Sequence, residues 1–190
     1  MRARPVLAEL ANTARADVRL GALNGHDVVY LGHFGQFDEY NPNAVGADDA
    51  GRGEPAPALP AYATAIGKAL LAFSPSSVVN RDIANGMQTA NPMNSPDNLR
   101  EALSVIRLTQ IATARDEYHA DRSAIAMPVF SGGGRVAAAV ELAVREPGTD
   151  VKAVTGALTV ACRSLSRQLA TEFRDPGTVP YYRNGSTPSA

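Results

Sequence analysis

Two strand-length runs in the second half of the chain constrain the fold most, because they divide their side chains between two unlike faces. Successive side chains of a β-strand point to opposite sides of the sheet. In residues 135–144, one side carries mainly bulky side chains and the other carries small ones around a carboxylate: Val136, Ala138, Val140, Leu142 and Val144 against Ala137, Ala139, Glu141 and Ala143. This pattern predicts a sheet whose two faces pack against different things.

The partner strand is predicted at residues 123–130, which Ser-Gly-Gly-Gly joins to the first run. We expect the loop to bring its two flanking residues face to face. That register sets small residues against the small side of the first run: Phe130 faces Arg135, Ala126 faces Ala139 and Ala124 faces Glu141. The odd-numbered residues of the partner strand join the bulky side: Ile125, Met127 and Val129. One face of the hairpin is therefore ordinary core.

The small face has two explanations. Alanines let a helix pack closely, or they leave a hollow for a ligand. Glu141 favours the hollow, because a carboxylate buried among alanines is unfavourable unless it meets solvent, a cationic side chain or a ligand. The inference depends on register, since a slip of one residue would move Glu141 to the other face.

Helices and antiparallel strands alternate along the rest of the chain without a regular βαβ order, which indicates a single α+β domain. Strands are expected at residues 17–23 and 28–31, joined by Asn24-Gly25, and near 110–115. Helices are expected at 4–14, at 63–73, after Pro75, from Ser95-Pro96 and at 149–173. Residues 41–58 are predicted to form a mobile loop and residues 174–190 a flexible tail.

The segment from Leu59 to Phe73 is the expected cover of the hollow. Gly67 lies just inside the first turn of its predicted helix, where glycine is less favourable than alanine by about 1 kcal/mol. A glycine there indicates that another group approaches the backbone closely. The free amides from Ala65 to Gly67 could donate to a carboxylate or another anion. Simple packing of the helix on the sheet explains the same residues.

Composition excludes several classes of function. A net charge of −1 gives no basic footprint for nucleic acid, and no apolar run reaches the roughly 18 residues of a membrane span. The single cysteine, Cys162, falls on the apolar stripe of the last helix and is predicted to be core. His26, His33 and His119 have no metal-ligand spacing and are expected on the surface or in loops. We expect no metal and no cofactor.

The runs that read Ala-Ile-Gly-Lys-Ala-Leu-Leu-Ala from Ala65 and Ser-Ala-Ile-Ala-Met-Pro-Val-Phe from Ser123 are similar to two motifs of IclR-type bacterial transcription regulators. The resemblance lies in their effector-binding domain and extends from about Pro5 to Ala170. It implies a GAF-like antiparallel sheet with flanking helices, homodimers or tetramers, and an effector pocket between the sheet and the Gly-Lys helix start. Residues 1–16 would then end a linker helix, and residues 17–173 would form the effector-binding domain.

That family usually carries a winged helix-turn-helix before this domain, and DNA would be bound only through it. Either it lies outside this chain or the protein has lost it. The resemblance implies a cytoplasmic protein without catalytic activity, not bound to membranes. The implied ligand-binding residues come from three parts of the chain: Leu59, Ala65, Ile66 and Gly67; Ala114, Arg115, Ala124 and Ala126; and Ala139, Glu141 and Ala143.

Departures from the family pattern bear on the ligand. Small polar residues are common in the family at the positions of Glu141 and Ala143, and an acidic residue is common at Ala114. The glutamate at position 141 should repel organic acids unless it is protonated or paired with Arg115 or His119. A cationic, hydroxylated or neutral effector is expected instead.

Two other functions remain open. One is a module that only oligomerises. The other is a small hydrolase or isomerase that uses Asp116, Glu117 or Glu141, although no spacing requires these carboxylates to meet.

Overall fold

The computed structural model describes residues 3–35, 59–84, 95–115, 123–144 and 151–172. Several sequence predictions fall outside these residues: the loop at 41–58, the tail at 174–190, and Asp116, Glu117 and His119. Five helices and six strands are described: α1 (Ala3–Ala14), β1 (Asp17–Asn24), β2 (Asp27–Phe34), β3 (Leu59–Pro60), α2 (Ala65–Ala72), α3 (Ser76–Ala84), α4 (Pro96–Thr109), β4 (Ala112–Arg115), β5 (Ser123–Phe130), β6 (Val136–Val144) and α5 (Val151–Glu172). A 3₁₀ turn at Ala61–Ala63 precedes α2. The predicted α+β single domain is confirmed.

The six strands form one sheet in the order β3-β2-β1-β6-β5-β4, with antiparallel neighbours throughout. Asn24 and Asp27 close the β1–β2 hairpin, and Gly25 in its turn has a φ of +65°, a conformation that favours glycine. The central pair joins β1 to β6, which are far apart in the chain. The sheet therefore consists of two halves, one with the β1–β2 hairpin and one with the β5–β6 hairpin, and we call the β1–β6 pair that joins them the seam.

Helices cover both faces of the sheet. α1 and α5 pack on the face that carries Val18, Leu20, Val140 and Leu142. The stripe of α5 lies in this core as its periodicity predicts: Val154, Leu158, Cys162 and Leu165, with Leu169 at its edge. α2 and α4 contribute to a second core on the opposite face, where Ala126 and Ala139 are buried.

The ends of two helices on this second face are fixed by side chains. Ser95 caps α4 by accepting a hydrogen bond from the backbone N–H of Asn98 at 3.2 Å. Thr64 caps α2 in the same way, with its Oγ1 accepting from Gly67 N at 3.0 Å. A cap of this kind satisfies an amide that the helix itself leaves without a partner.

The register of β5 against β6 differs from the prediction by two residues. Ala126 faces Glu141, Ala124 faces Ala143 and Pro128 faces Ala139. Half of the shift arises in the turn, where Phe130 pairs with Val136 and not with Arg135. The other half arises at an irregularity between Val129 and Phe130, where Ala137 is skipped.

Because the two single-residue changes add to an even number, the faces of the hairpin survive. Ile125, Met127 and Val129 lie in the bulky core, as predicted. Val136 is the exception, since it precedes the irregularity and packs against the opposite core. The prediction that Val136 belongs to the bulky face is therefore wrong.

Within the described part of the chain, no helix combines the length and the apolarity that a membrane span requires.

Candidate functional site: the small-residue face at the start of helix α2

A row of directly paired residues crosses the sheet beneath helix α2. From β2 to β4 it reads His33, Arg19, Glu141, Ala126 and Ala112. Since directly paired residues of neighbouring strands share a face, this row sets one acid, Glu141, between two basic side chains and two alanines. The row forms the floor of the candidate site.

Glu141 and Arg19 form a buried ion pair at the centre of the row. Arg19 Nη1 donates to Glu141 Oε1 at 3.0 Å. Glu141 is 3% exposed and Arg19 is 7% exposed. Arg19 therefore compensates the Glu141 charge where the alanines around it could not.

The second carboxylate oxygen of Glu141 reaches the start of α2. Ile66 N donates to Glu141 Oε2 at 3.2 Å, so each carboxylate oxygen has a separate donor. Two of the three amides that the sequence marks as donors to an anion are thus in use: Ile66 N–H by Glu141 and Gly67 N–H by Thr64. The chain itself supplies a carboxylate that these amides could otherwise have received from a ligand.

Burial raises the pKa of the Glu141 carboxyl above its ordinary value, because removal from water disfavours the charged form. The charge of Arg19 and the hydrogen bond from Ile66 both oppose this rise. Arg19 and the Ile66 amide therefore offset part of the free energy that desolvation of the Glu141 carboxylate costs.

Gly67 lies against backbone, as its place in the helix predicts. A Cβ atom at Gly67 would overlap the carbonyl carbon and oxygen of Ala61 in the preceding 3₁₀ turn. Gly21 plays a similar part on the sheet, where a Cβ would lie 2.9 Å from Ile66 Cδ1. Absent side chains at these two positions let α2 approach both the turn and the sheet.

The small face is covered at one end and partly open at the other. Beneath α2, the alanines at 112, 126 and 139 are fully buried. In the adjacent row, which runs from Asp17 through Ala143 and Ala124 to Ala114, the three alanines are only half-buried. The Glu141–Arg19 pair lies between the closely packed part and the partly open part.

The structure brings most of the predicted ligand-binding residues to this face. Leu59, Ala65, Ile66, Ala126 and Ala139 share one buried core, and Ala114 and Ala124 pack against it. Gly67 is buried in α2, and Ala143 is half-buried beside Asp17. Arg115 is exposed at the end of β4.

The partner of Glu141 is Arg19 and not Arg115, which the sequence offered beside His119 as one of two possible partners. The reason is topological: Arg19 faces Glu141 directly across the β1–β6 pair, whereas Arg115 faces Ser123 on the far side of β5. A signal for Arg19 exists in the sequence. It alternates with Val18 and Leu20, which places a charged side chain on the face opposite their core.

A second acid lies on the same face of β1. Asp17 is buried, and its Oδ1 lies 3.7 Å from His33 Nε2. His33 lies within β2 with a side chain only 9% exposed, so the prediction of a surface or loop position is wrong for this residue. His26 lies in the β1–β2 turn, as predicted.

The described residues contain no group of three or more His, Cys, Asp or Glu side chains able to hold a metal ion. Cys162 is buried in the opposite core, and burial raises the pKa of its thiol to about 12. A thiol with that pKa is a poor nucleophile at neutral pH. Of the three carboxylates considered for acid–base catalysis, only Glu141 lies in the described residues.

Comparison with solved structures gives the same fold several times. An IclR-type regulator from a Silicibacter species matches with a TM-score of 0.74 and 24% identity, over 89% of this chain and 65% of that one. The C-terminal domain of the Escherichia coli regulator KdgR matches with a TM-score of 0.69 and 24% identity, over 88% and 96%. An IclR homolog from Microbacterium hydrocarbonoxydans, solved with 4-hydroxybenzoate, matches with a TM-score of 0.74 and 20% identity, over 89% and 67%.

This chain thus spans about two thirds of the Silicibacter and Microbacterium proteins and nearly all of the KdgR domain. At these identities the likeness establishes the fold. No curated protein matches the sequence. The family is shown by a model of the bacterial transcriptional regulator IclR C-terminal domain, which matches residues 1–170. The chain belongs to the family of IclR-type bacterial transcriptional regulators and comprises their C-terminal domain.

Proposed function

We propose that this chain is the effector-sensing domain of an IclR-type regulator and that its effector binds on the small-residue face beside Glu141. The observation that carries the proposal is the half-open alanine row, formed by the half-buried Ala143, Ala124 and Ala114. It lies next to the buried Glu141–Arg19 pair, in a chain that matches the family over residues 1–170. Small-molecule sites are concave and mostly apolar, with a few precisely placed polar groups.

The effector would lie against Ala114, Ala124 and Ala143, where the face is half-buried. The remaining predicted residues would hold α2 and the ion pair behind it: Leu59, Ala65, Ile66, Gly67, Ala126, Ala139 and Glu141, with Arg115 at the rim. Because Arg19 already balances Glu141, a neutral or hydroxylated compound suits this surface better than a second carboxylate. The Microbacterium homolog, solved with a hydroxylated aromatic acid, supports small-molecule binding on this fold.

Sensing requires that the effector prefer one arrangement of the protein over another. We assign DNA binding to a winged helix-turn-helix outside this chain, the end of its linker to residues 1–16, and the effector domain to residues 17–173. Effector binding would shift the balance between arrangements of a homodimer or tetramer and so the spacing of the DNA-binding domains. Such a regulator would act in the cytoplasm.

The test is a thermal-shift screen of small metabolites against the wild type and two variants. Ala124→Phe fills the half-open row, whereas Ala137→Phe adds the same bulk at an exposed position of the same hairpin. We expect compounds that raise the wild-type Tm to raise that of Ala137→Phe equally and to leave Ala124→Phe unchanged.

A compound that stabilises Ala124→Phe as much as the wild type would refute this placement of the site. If no compound stabilises the wild type, the alternative of a module that only oligomerises gains instead.

A further inference from the structure

The buried Glu141–Arg19 pair is poorly explained by stability. Both side chains leave water almost completely, and an ion pair in a protein interior rarely recovers the energy of desolvating both partners. Replacing such a pair by well-packed apolar residues of similar volume often leaves stability unchanged or raises it. What the pair does provide is a carboxylate held at one defined point.

That point has the donors of an anion site. The first turn of a helix presents backbone N–H groups and partial positive charge, and a guanidinium adds a full charge and directed hydrogen bonds. Here Ile66 N and Arg19 Nη1 converge on two oxygens of one carboxylate, at 3.2 and 3.0 Å. The carboxylate belongs to the chain, since it is the side chain of Glu141.

We propose that Glu141 is an intramolecular anion that occupies a carboxylate-binding site formed by Arg19 and the start of α2, and that it thereby excludes small organic acids from the domain. Glu141 is then a specificity-determining residue. It holds α2 against β1 and β6 without any bound acid, and it leaves the half-open alanine row for a ligand of another class. The meaning for sensing rests on the proposed function, whereas the anion site rests on the contacts alone.

The neighbours of Glu141 set the size of acid that could replace it. Ala126 lies directly opposite on β5, and Ala139 lies two residues away on the same face of β6. Both are fully buried, so the space around the carboxylate is confined. Glu141→Ala removes two carbon and two oxygen atoms, which are the non-hydrogen atoms of acetate. Acetate is therefore the matched probe.

The experiment measures thermal unfolding of the whole chain in sodium acetate and in sodium chloride of equal ionic strength. We expect Glu141→Ala to melt below the wild type in chloride, because Arg19 loses its buried partner. Acetate should raise the Tm of Glu141→Ala by about 5 °C or more at saturation. Bulkier carboxylates such as benzoate should act more weakly, and the wild type should respond to acetate only as it does to chloride.

Two further variants serve as controls. Arg19→Met combined with Glu141→Ala removes the guanidinium and should abolish the acetate effect. Glu141→Ser leaves a small polar side chain in place of the carboxylate and should show rescue if Glu141→Ala does not fold. If neither single variant accumulates in folded form, refolding from urea in acetate but not in chloride is the expected result.

Equal stabilisation of the wild type by acetate, or of the double variant, would overturn the proposal. So would folded Glu141→Ala and Glu141→Ser that ignore acetate, or refolding that succeeds in both salts or in neither. The effector screen has a separate outcome. Acetate rescue without any effector would leave the anion site standing while the proposed sensing function failed.

Discussion

Gly67 offers the sharpest test of how α2 is seated, because the same substitution elsewhere in the chain should have the opposite sign. A Cβ at Gly67 would overlap the backbone of Ala61, which cannot move without moving the 3₁₀ turn and the adjoining strand β3. A Cβ at Gly156, which is exposed in α5, has no atom within 4 Å. Both glycines lie in helices.

The magnitudes follow from these surroundings. Alanine in place of glycine within a helix contributes up to about 1 kcal/mol. Overpacking costs about 1–3 kcal/mol, and a collision with backbone belongs at the upper end. For Gly67→Ala the balance is a loss of about 2 kcal/mol, or about 4–8 °C in Tm. For Gly156→Ala the expected result is a gain of up to about 1 kcal/mol, or about 2–4 °C.

Urea denaturation followed by circular dichroism measures both changes in the free energy of unfolding against the wild type. The m-value checks that the unfolding transition exposes the same surface in each variant. Gly67→Ala at or above wild-type stability would show that α2 does not pack against the Ala61 backbone. A loss in Gly156→Ala would show that helix propensity does not govern that site.

Two further predictions concern buried groups. Glu141→Leu alone should cost about 3–5 kcal/mol, and Arg19→Met combined with Glu141→Leu should cost clearly less than the two single losses together. Additive losses in urea denaturation would show that the pair is not coupled. Burial raises the pKa of the Cys162 thiol from its ordinary value of 9.0 to about 12, so the stability that the buried thiol contributes falls as pH rises above 9. Relative to Cys162→Ala, the wild type should lose about 1.4 kcal/mol by pH 10, and parallel pH profiles would contradict the burial.

The faces of the β5–β6 hairpin could be predicted from residue parity, whereas the register could not. Alternation identifies which residues share a side, and that information is local. The register depends on the turn, where Gly133 and Gly134 adopt φ values of +84° and +75°, and on the irregularity that skips Ala137. Neither leaves a mark in the hydrophobic pattern. The faces were preserved because the two changes add to an even shift.

The candidate site also has features that the sequence could predict and features that it could not. Glu141 and the start of α2 could be found from spacing, since each lies in a segment with a clear period. Arg19 could be assigned to a face but not to a partner, because it is 122 residues from Glu141 and only the order of the strands brings them together. The close contact at Gly67 could be predicted from its unfavourable place in a helix, but Ala61 could not be named from that signal.

The seam between β1 and β6 also has a consequence for biosynthesis. The β1–β2 hairpin can form early, yet its other edge pairs with a strand that begins at Val136. At ordinary rates of translation, a ribosome needs on the order of ten seconds to make the intervening chain. Until β6 emerges, the nascent hairpin exposes an unpaired edge, and Arg19 lacks the Glu141 carboxylate. Whatever shields this edge from other chains would therefore have to act during that interval.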